Sequence, residues 1–170
     1  MYKIVTKRVL NPTIVEMDIL APEIAAKAKP GEFIILRVDE DGERIPLTIA
    51  GEDLTKGTVK IIFQIVGSTT YKLGQKKEGE SIQDFVGPLG RATELDGLKK
   101  VCIIGGGAGS AIAMPIAQEL HRRGATVHSI VGFRNKDLVI LEDEFKACSD
   151  ILKIMTDDGS AGEKGLVTNA

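Results

Sequence analysis

Tryptophan is absent from this sequence, and two tyrosines and five phenylalanines are its only other aromatic residues. The ring surfaces on which single-stranded nucleic acid stacks are therefore missing. Excess charge of either sign is missing too: the formal net charge is -2 at pH 7. No broad positive field exists to attract nucleic acid or an anionic membrane, and neither is expected as a partner. Cysteine is scarce. Cys102 and Cys148 show no CxxC spacing, which argues against a zinc site, a cluster or a redox pair. Both read as buried structural thiols in a chain suited to the reducing cytoplasm. No apolar run approaches membrane-spanning length, and Met1 to Leu10 has no hydrophobic signal-peptide core. His121 and His128 have no Ser, Cys or metal-ligand partner at an interpretable spacing and read as structural.

What is present is an ordinary globular composition, 43% hydrophobic over 170 residues, enough for one large domain or two small ones. The first half alternates short apolar segments with turn signals: residues 3–9, 13–20, 33–38, 45–50, 58–66 and 81–86 read as strands. Pro30-Gly31, Asp41-Gly42 and Lys56-Gly57 punctuate them, so an antiparallel β-barrel or sandwich is expected, with a hairpin turn at Asp41-Gly42. The acidic run 39–43 lacks the ligand spacing of a calcium loop and reads as a solvated turn.

Near residues 95–100 the pattern changes. Residues 101–104 form a compact apolar strand, followed by a glycine cluster and a helix over 110–123 with Ile112, Ile116 and Leu120 on its apolar face. Pro115 is tolerable only in the early part of that helix, and Gly124 ends it. A strand over 126–131, a short helix over 142–148 and a strand over 151–155 complete a β-α-β-α-β order, hence parallel strands with right-handed crossovers. The boundary is placed between residues 97 and 98. Three strands are fewer than the five or six of a doubly wound domain, so the Rossmann-like second domain is expected to be incomplete, with 166–170 opening a further helix.

Several segments could carry chemistry. Gly105-Gly106-Gly107-Ala108-Gly109-Ser110 joins strand to helix, where backbone can approach a pyrophosphate; a tight structural turn is the rival reading. Arg134 and Lys136 follow the second strand with no acidic residue at its immediate end, which favours a 2′-phosphate over a plain ribose. A solvated loop is the alternative there, and Arg134 is the stronger candidate. Asp157, Asp158, Gly159 and Ser160 end the third strand, on the edge where α/β sheets bind ligands, and a flexible surface loop is their rival. Adjacent carboxylates on a strand point to opposite sides, so no metal site is expected of Asp157 and Asp158. Arg44, Pro46, Leu47 and Thr48 combine a planar cation, a stiff ring and a hydroxyl on one extended segment suited to a flavin phosphate and ring edge. Alone, an exposed arginine at a strand start would be unremarkable. Gly67, Ser68, Thr69 and Thr70 offer backbone donors and hydroxyls at the start of a helix, for pyrophosphate or as an ordinary cap. Gly87-Pro88-Leu89-Gly90 reads as a sharp turn.

Together, residues 44–48, 67–70, 87–90, 105–110, 157–160 and Lys164-Gly165 resemble the ferredoxin-NADP reductase-like superfamily across essentially the whole chain. The subunits most resembled are those that pair with another chain, as in dihydroorotate dehydrogenase and NADH-dependent ferredoxin:NADP oxidoreductase. The resemblance implies an FAD-binding barrel over residues 1–97 and an NAD(P)-binding domain over 98–170. It makes the chain a flavoprotein reductase subunit that passes electrons between NAD(P)H and an iron-sulfur carrier. It places Pro46, Leu47 and Thr48 along the flavin, Phe63 and Gln64 beside it, and Thr69 and Thr70 at its phosphates. It further implies a larger oxidoreductase subunit and ferredoxin as partners, and a [2Fe-2S] cluster on cysteines beyond Ala170. A non-catalytic nucleotide-binding assembly or regulatory module is the alternative. A dehydrogenase without flavin is a third reading, disfavoured by the barrel-first order.

Overall fold

The computed structural model describes residues 1–170, which divide into two compact units, Met1–Thr93 and Glu94–Ala170. The division falls four residues before the sequence-based boundary. Asp96 pairs with Arg123 at 2.8 Å, which joins the segment before the first parallel strand to the second unit.

The first unit is a seven-stranded antiparallel sheet of β1 (Tyr2–Asn11), β2 (Ile14–Leu20), β3 (Phe33–Arg37), β4 (Arg44–Asp53), β5 (Thr58–Gln64), β6 (Ser81–Ile82) and β7 (Asp84–Leu89). The strand order is β6-β1-β2-β5-β4-β3-β7. Its two outermost strands are separated in sequence by Gln83 alone, so the sheet must curl until its edges meet. That curls the antiparallel sheet into a half-barrel, in keeping with the expected architecture, but corrects the single strand read over 81–86. The Gln83 amide turns to the carbonyls of Arg37 and Val38, and the chain leaves β1 on one side of it for β3 on the other. Gly87-Pro88-Leu89 is likewise the extended end of β7 and not a turn; a left-handed residue appears only at Gly90, with φ 84°.

Alternation of period two fills the barrel: Ile34 and Leu36 from β3, Val59, Ile61 and Phe63 from β5, and Phe85 from β7 point inward with Ile4, Met17 and Ile19. Burying a ring such as Phe85, 1% exposed, contributes roughly 2–3 kcal/mol. Two helices belong to this unit, α1 (Pro22–Ala25) and α2 (Ser68–Gln75). Between β4 and β5 the Asp53 carboxylate accepts the amides of Thr55 and Lys56, and Gly57 supplies the left-handed φ of 65° that the reversal requires.

The second unit is a four-stranded parallel sheet, order β11-β10-β9-β8, of β8 (Lys100–Gly106), β9 (Thr126–Phe133), β10 (Ile151–Thr156) and β11 (Glu163–Lys164). Helices α3 (Ser110–Arg122) and α4 (Glu142–Ala147) provide crossovers. The last residues form a single 3-10 turn over Val167–Asn169. A Schellman pair closes α3, with Gly124 donating to His121 and Ala125 to Leu120.

Two expectations need correction. The buried face of α3 is Ala111, Met114, Pro115, Ala117 and Leu120, while Ile112 is 51% exposed. A helix whose residues 111–117 read Ala-Ile-Ala-Met-Pro-Ile-Ala is apolar all round there, so its packed stripe is set by the sheet and not by its bulkiest residues. Pro115 is the sixth residue of thirteen, in the first half of the helix, and the bond it removes is an interior one. Cys102 is exposed and only Cys148 is buried. The former sits on the edge strand β8, whose Lys100, Cys102 and Ile104 alternate onto the side away from α3. Burial pushes the Cys148 thiol up. No helix is long and apolar enough to cross a membrane.

Candidate functional site

In the barrel unit the residues singled out on β4 divide by parity. Ile45 and Leu47 pack against the core, so Arg44, Pro46 and Thr48 share the outward face. The even spacing between Arg44 and Thr48 is what aligns them. Antiparallel register sets Thr48 opposite Phe33, Pro46 opposite Ile35 and Arg44 opposite Arg37, and Arg37 in turn faces Asp84 on β7. Phe63 is 3% exposed and belongs to the core, whereas Gln64 points out. The side chains of Leu47 and Phe63 are thus turned to the core, and their backbones are the parts that face outward with Arg44, Pro46, Thr48 and Gln64.

α2 begins at Ser68 after Gly67, as expected of this segment. The Thr70 hydroxyl accepts the amides of Val66 and Gly67, both at 3.0 Å, and donates to the Gly67 carbonyl at 3.0 Å. A hydroxyl has one proton and two lone pairs, so Thr70 is fully committed to the cap. Thr69 is buried and its hydroxyl donates to Glu43 at 3.4 Å, which brings the residue before Arg44 against the first turn of α2. The first-turn amides of Ser68, Thr69 and Thr70 have no acceptor within the helix. A Cβ on Gly67 would meet nothing within 4 Å.

In the α/β unit, parallel register brings the ends of three strands to one edge: Gly106 opposite Gly132, and Gly132 opposite Met155. Gly105 and Gly106 complete β8, Gly107–Gly109 form one 3-10 turn, and α3 starts at Ser110. These glycines serve different ends. A Cβ on Gly105 would lie 2.9 Å from the Ser110 Cα, so Gly105 lets strand and helix approach. Gly107 has φ 51°, a left-handed value suited to glycine. Gly106 and Gly109 have ordinary dihedrals, and a Cβ on either would meet nothing within 4 Å, so the fold itself does not demand glycine there. Ala108 lies between them. The Ser110 hydroxyl is wholly buried and has no hydrogen-bond partner.

Next along the edge, Arg134 is exposed directly after Phe133. The following loop is tied to the end of β10: the Lys136 amide donates to the Ser160 hydroxyl at 2.8 Å, and that hydroxyl donates to Asp158 at 2.6 Å. The Asp158 carboxylate also accepts the Ser160 amide at 2.9 Å, and these bonds hold it below the usual carboxylate range. Asp157 donates its amide to the Phe133 carbonyl. Gly159, with φ 75°, completes a turn whose next residues return to Thr156 through the Ala161 and Gly165 amides. Ser160 is thus engaged in joining two loops. No three His, Cys, Asp or Glu side chains converge as metal ligands would.

Two participants were not legible in the sequence. Asp84 bonds both Arg37, at 2.7 Å, and Arg44, at 3.3 Å, though it lies 40 residues from the latter. Glu43, read as part of a solvated turn, contacts α2. No local signal marks either, because both partnerships arise from strand and helix placement.

A curled antiparallel sheet with an open helix N-terminus, followed by a parallel sheet with a glycine turn, is the two-unit arrangement of ferredoxin reductase-like proteins. No known family model matches the sequence. The chain is 43% identical over 168 residues to a dihydroorotate dehydrogenase B (NAD(+)) electron transfer subunit homolog of Thermotoga maritima, spanning 99% of this chain and 59% of that protein. It is 34% identical over 171 residues to the dihydroorotate dehydrogenase B (NAD(+)) electron transfer subunit of Streptococcus pneumoniae serotype 4, spanning 98% of this chain and 67% of that one. A chain of the solved NADH-dependent reduced ferredoxin-NADP oxidoreductase superposes with a TM-score of 0.93 at 41% identity, over 99% of this chain and 61% of the other. The ferredoxin reductase of carbazole 1,9a-dioxygenase shares the fold, with a TM-score of 0.84 at 19% identity, over 99% of this chain and 54% of that one. The chain belongs to the ferredoxin-NADP reductase-like superfamily, in the group of the dihydroorotate dehydrogenase B electron transfer subunits. It spans about three fifths of the length of the first relatives it matches.

Proposed function

We propose that this chain is the FAD- and NAD(P)-binding part of an oxidoreductase electron-transfer subunit, handing electrons between a pyridine nucleotide and an iron-sulfur carrier held outside residues 1–170. The observation that carries the proposal is the pairing, in the first unit, of an outward cation-proline-hydroxyl face on β4 with the unsatisfied first turn of α2. Arg44 and the α2 amides would hold the anionic phosphates of FAD, because a helix N-terminus and a guanidinium both stabilise negative charge. Pro46, Thr48 and Gln64 would line its ring, with the backbones of Leu47 and Phe63 beside them. When bound, FAD supplies the conversion between hydride transfer and single-electron steps. The role of the protein is to bind, orient and exclude water, so no acid-base pair is required.

In the second unit the glycine turn would receive the dinucleotide phosphates. The open space beside Gly106 and Gly109 supports a ligand there. Arg134 would meet the adenosine ribose, and the lack of an Asp or Glu in the sequence at the immediate end of β9 favours a 2′-phosphate. Asp157, Asp158, Gly159 and Ser160 would border the same nucleotide from β10. The proposed partner is a larger oxidoreductase subunit, with ferredoxin as a carrier. Free thiols at Cys102 and Cys148 accord with the reducing cytoplasm.

The test is the visible spectrum of the purified chain after FAD is added and the excess removed, followed by titration of the full-length protein with NAD(P)H. Stoichiometric flavin that bleaches on titration is the expected result. A folded chain that retains no flavin refutes the proposal, and bound flavin that NAD(P)H cannot reduce points to a non-catalytic nucleotide-binding module.

A further inference from the structure

Three charged side chains from three adjacent strands form one row on the outer face of the barrel unit. Register places Arg44 opposite Arg37, and Arg37 opposite Asp84. Two neighbouring guanidiniums repel, and a like-charged cross-strand pair is ordinarily unfavourable. Here a single carboxylate oxygen serves both: Asp84 Oδ2 accepts from Arg37 Nε at 2.7 Å and from Arg44 Nη2 at 3.3 Å.

The two arginines are not equivalent. Arg37 is anchored a second time, through Nη1 to the Glu40 carbonyl at 2.9 Å, and its side chain is 21% exposed. Arg44 is 62% exposed and holds only the long bond to Asp84. A guanidinium has five N–H donors, so most of those on Arg44 point away from the row unengaged. Glu43 lies against Thr69 in the first turn of α2, so the backbone of Arg44 is held close to the helix end that offers open amides.

We propose that Asp84 is a positioning residue for flavin binding: it limits the conformations of the Arg44 side chain from which the guanidinium meets the anionic part of FAD, while Arg37 keeps the carboxylate in place. This rests on the flavin reading above. Without Asp84, Arg44 becomes a long flexible side chain beside a second cation, and binding FAD must then order it. An arginine restrained beforehand loses less rotamer freedom on binding.

The experiment measures FAD affinity by fluorescence quenching at fixed salt for the wild type, Asp84→Asn, Arg44→Gln and the double variant. Each single substitution should weaken FAD by about tenfold, the loss of one charge-assisted contact or its preorganisation. The double variant should be no weaker than Arg44→Gln alone, since Asp84 acts through Arg44. Far-UV circular dichroism of each variant establishes folding, and a general structural weakening would lower FAD affinity additively in the double variant. Unchanged or tighter FAD binding in Asp84→Asn overturns the proposal, as do additive losses. If wild type binds no FAD, the flavin reading itself has failed, an outcome distinct from equal affinities in wild type and Asp84→Asn. A second variant, Asp84→Glu, keeps the charge and should recover part of the affinity; recovery no better than Asp84→Asn counts against positioning.

Discussion

Replacing Gly109 by alanine separates what the fold needs from what a ligand needs. Gly109 has helical dihedrals, φ -62° and ψ -21°, and a Cβ there would meet no atom within 4 Å. Alanine fits without strain and reduces the freedom of the unfolded chain, so Gly109→Ala should stabilise the α/β unit by about 0.4–1 kcal/mol. The usual preference for glycine over alanine before a helix does not oppose this, because it applies to non-helical dihedrals. For a chain of this size the gain raises the melting temperature by roughly 1–4 °C. If a pyrophosphate rests on this turn, the methyl group occupies the space the phosphates need, and NAD(P)H affinity should fall by at least about tenfold. Thermal unfolding followed by circular dichroism, together with NAD(P)H fluorescence titration, reads both effects. Undiminished NAD(P)H affinity would refute the ligand role of the turn, and a lowered melting temperature would refute the structural half of the reasoning.

Gly105→Ala should behave oppositely, since its Cβ would lie 2.9 Å from the Ser110 Cα and 3.1 Å from its hydroxyl. Overpacking of β8 against α3 should destabilise by about 1–3 kcal/mol, and an unshifted denaturant midpoint would contradict it. Glu119 bonds Arg122 and Arg123, which hold its carboxyl down at about 2, against 4.5 ordinarily. Its contribution is therefore complete above about pH 4.5 and lost as pH falls through about 2. Because both guanidiniums are solvated, Glu119→Gln should cost only about 1 kcal/mol at pH 7, a difference that closes in melts taken towards pH 2. Arg134→Ala should weaken NADPH more than NADH in a direct binding titration, and equal losses would remove the case for 2′-phosphate recognition.

Much of the fold could be read from local chemistry. Strand segments in the first half coincide with β1 to β5 to within a few residues, because Pro30-Gly31, Asp41-Gly42 and Lys56-Gly57 interrupt runs of period two. The glycine turn between β8 and α3 was equally legible, since few contexts tolerate four glycines within five residues. Site geometry was less so. Parity along β4 puts Arg44, Pro46 and Thr48 on one face, but whether that face looked inward or outward depended on β3 and β5 beside it.

Local chemistry alone thus settles most of which segments extend, which coil and where the chain reverses, because these follow from dihedral preferences and from spacing within a few residues; the stretch 81–90 is the exception. Packing in three dimensions was needed for the burial of α3 along Ala111, Met114 and Ala117, the exposure of Cys102, the division of 81–89 between two strands, and the sharing of Asp84 by Arg37 and Arg44. Each depends on which element lies alongside. Burial and ion pairing are properties of neighbours in space, and neighbours 40 residues apart leave no mark on the local pattern of either partner.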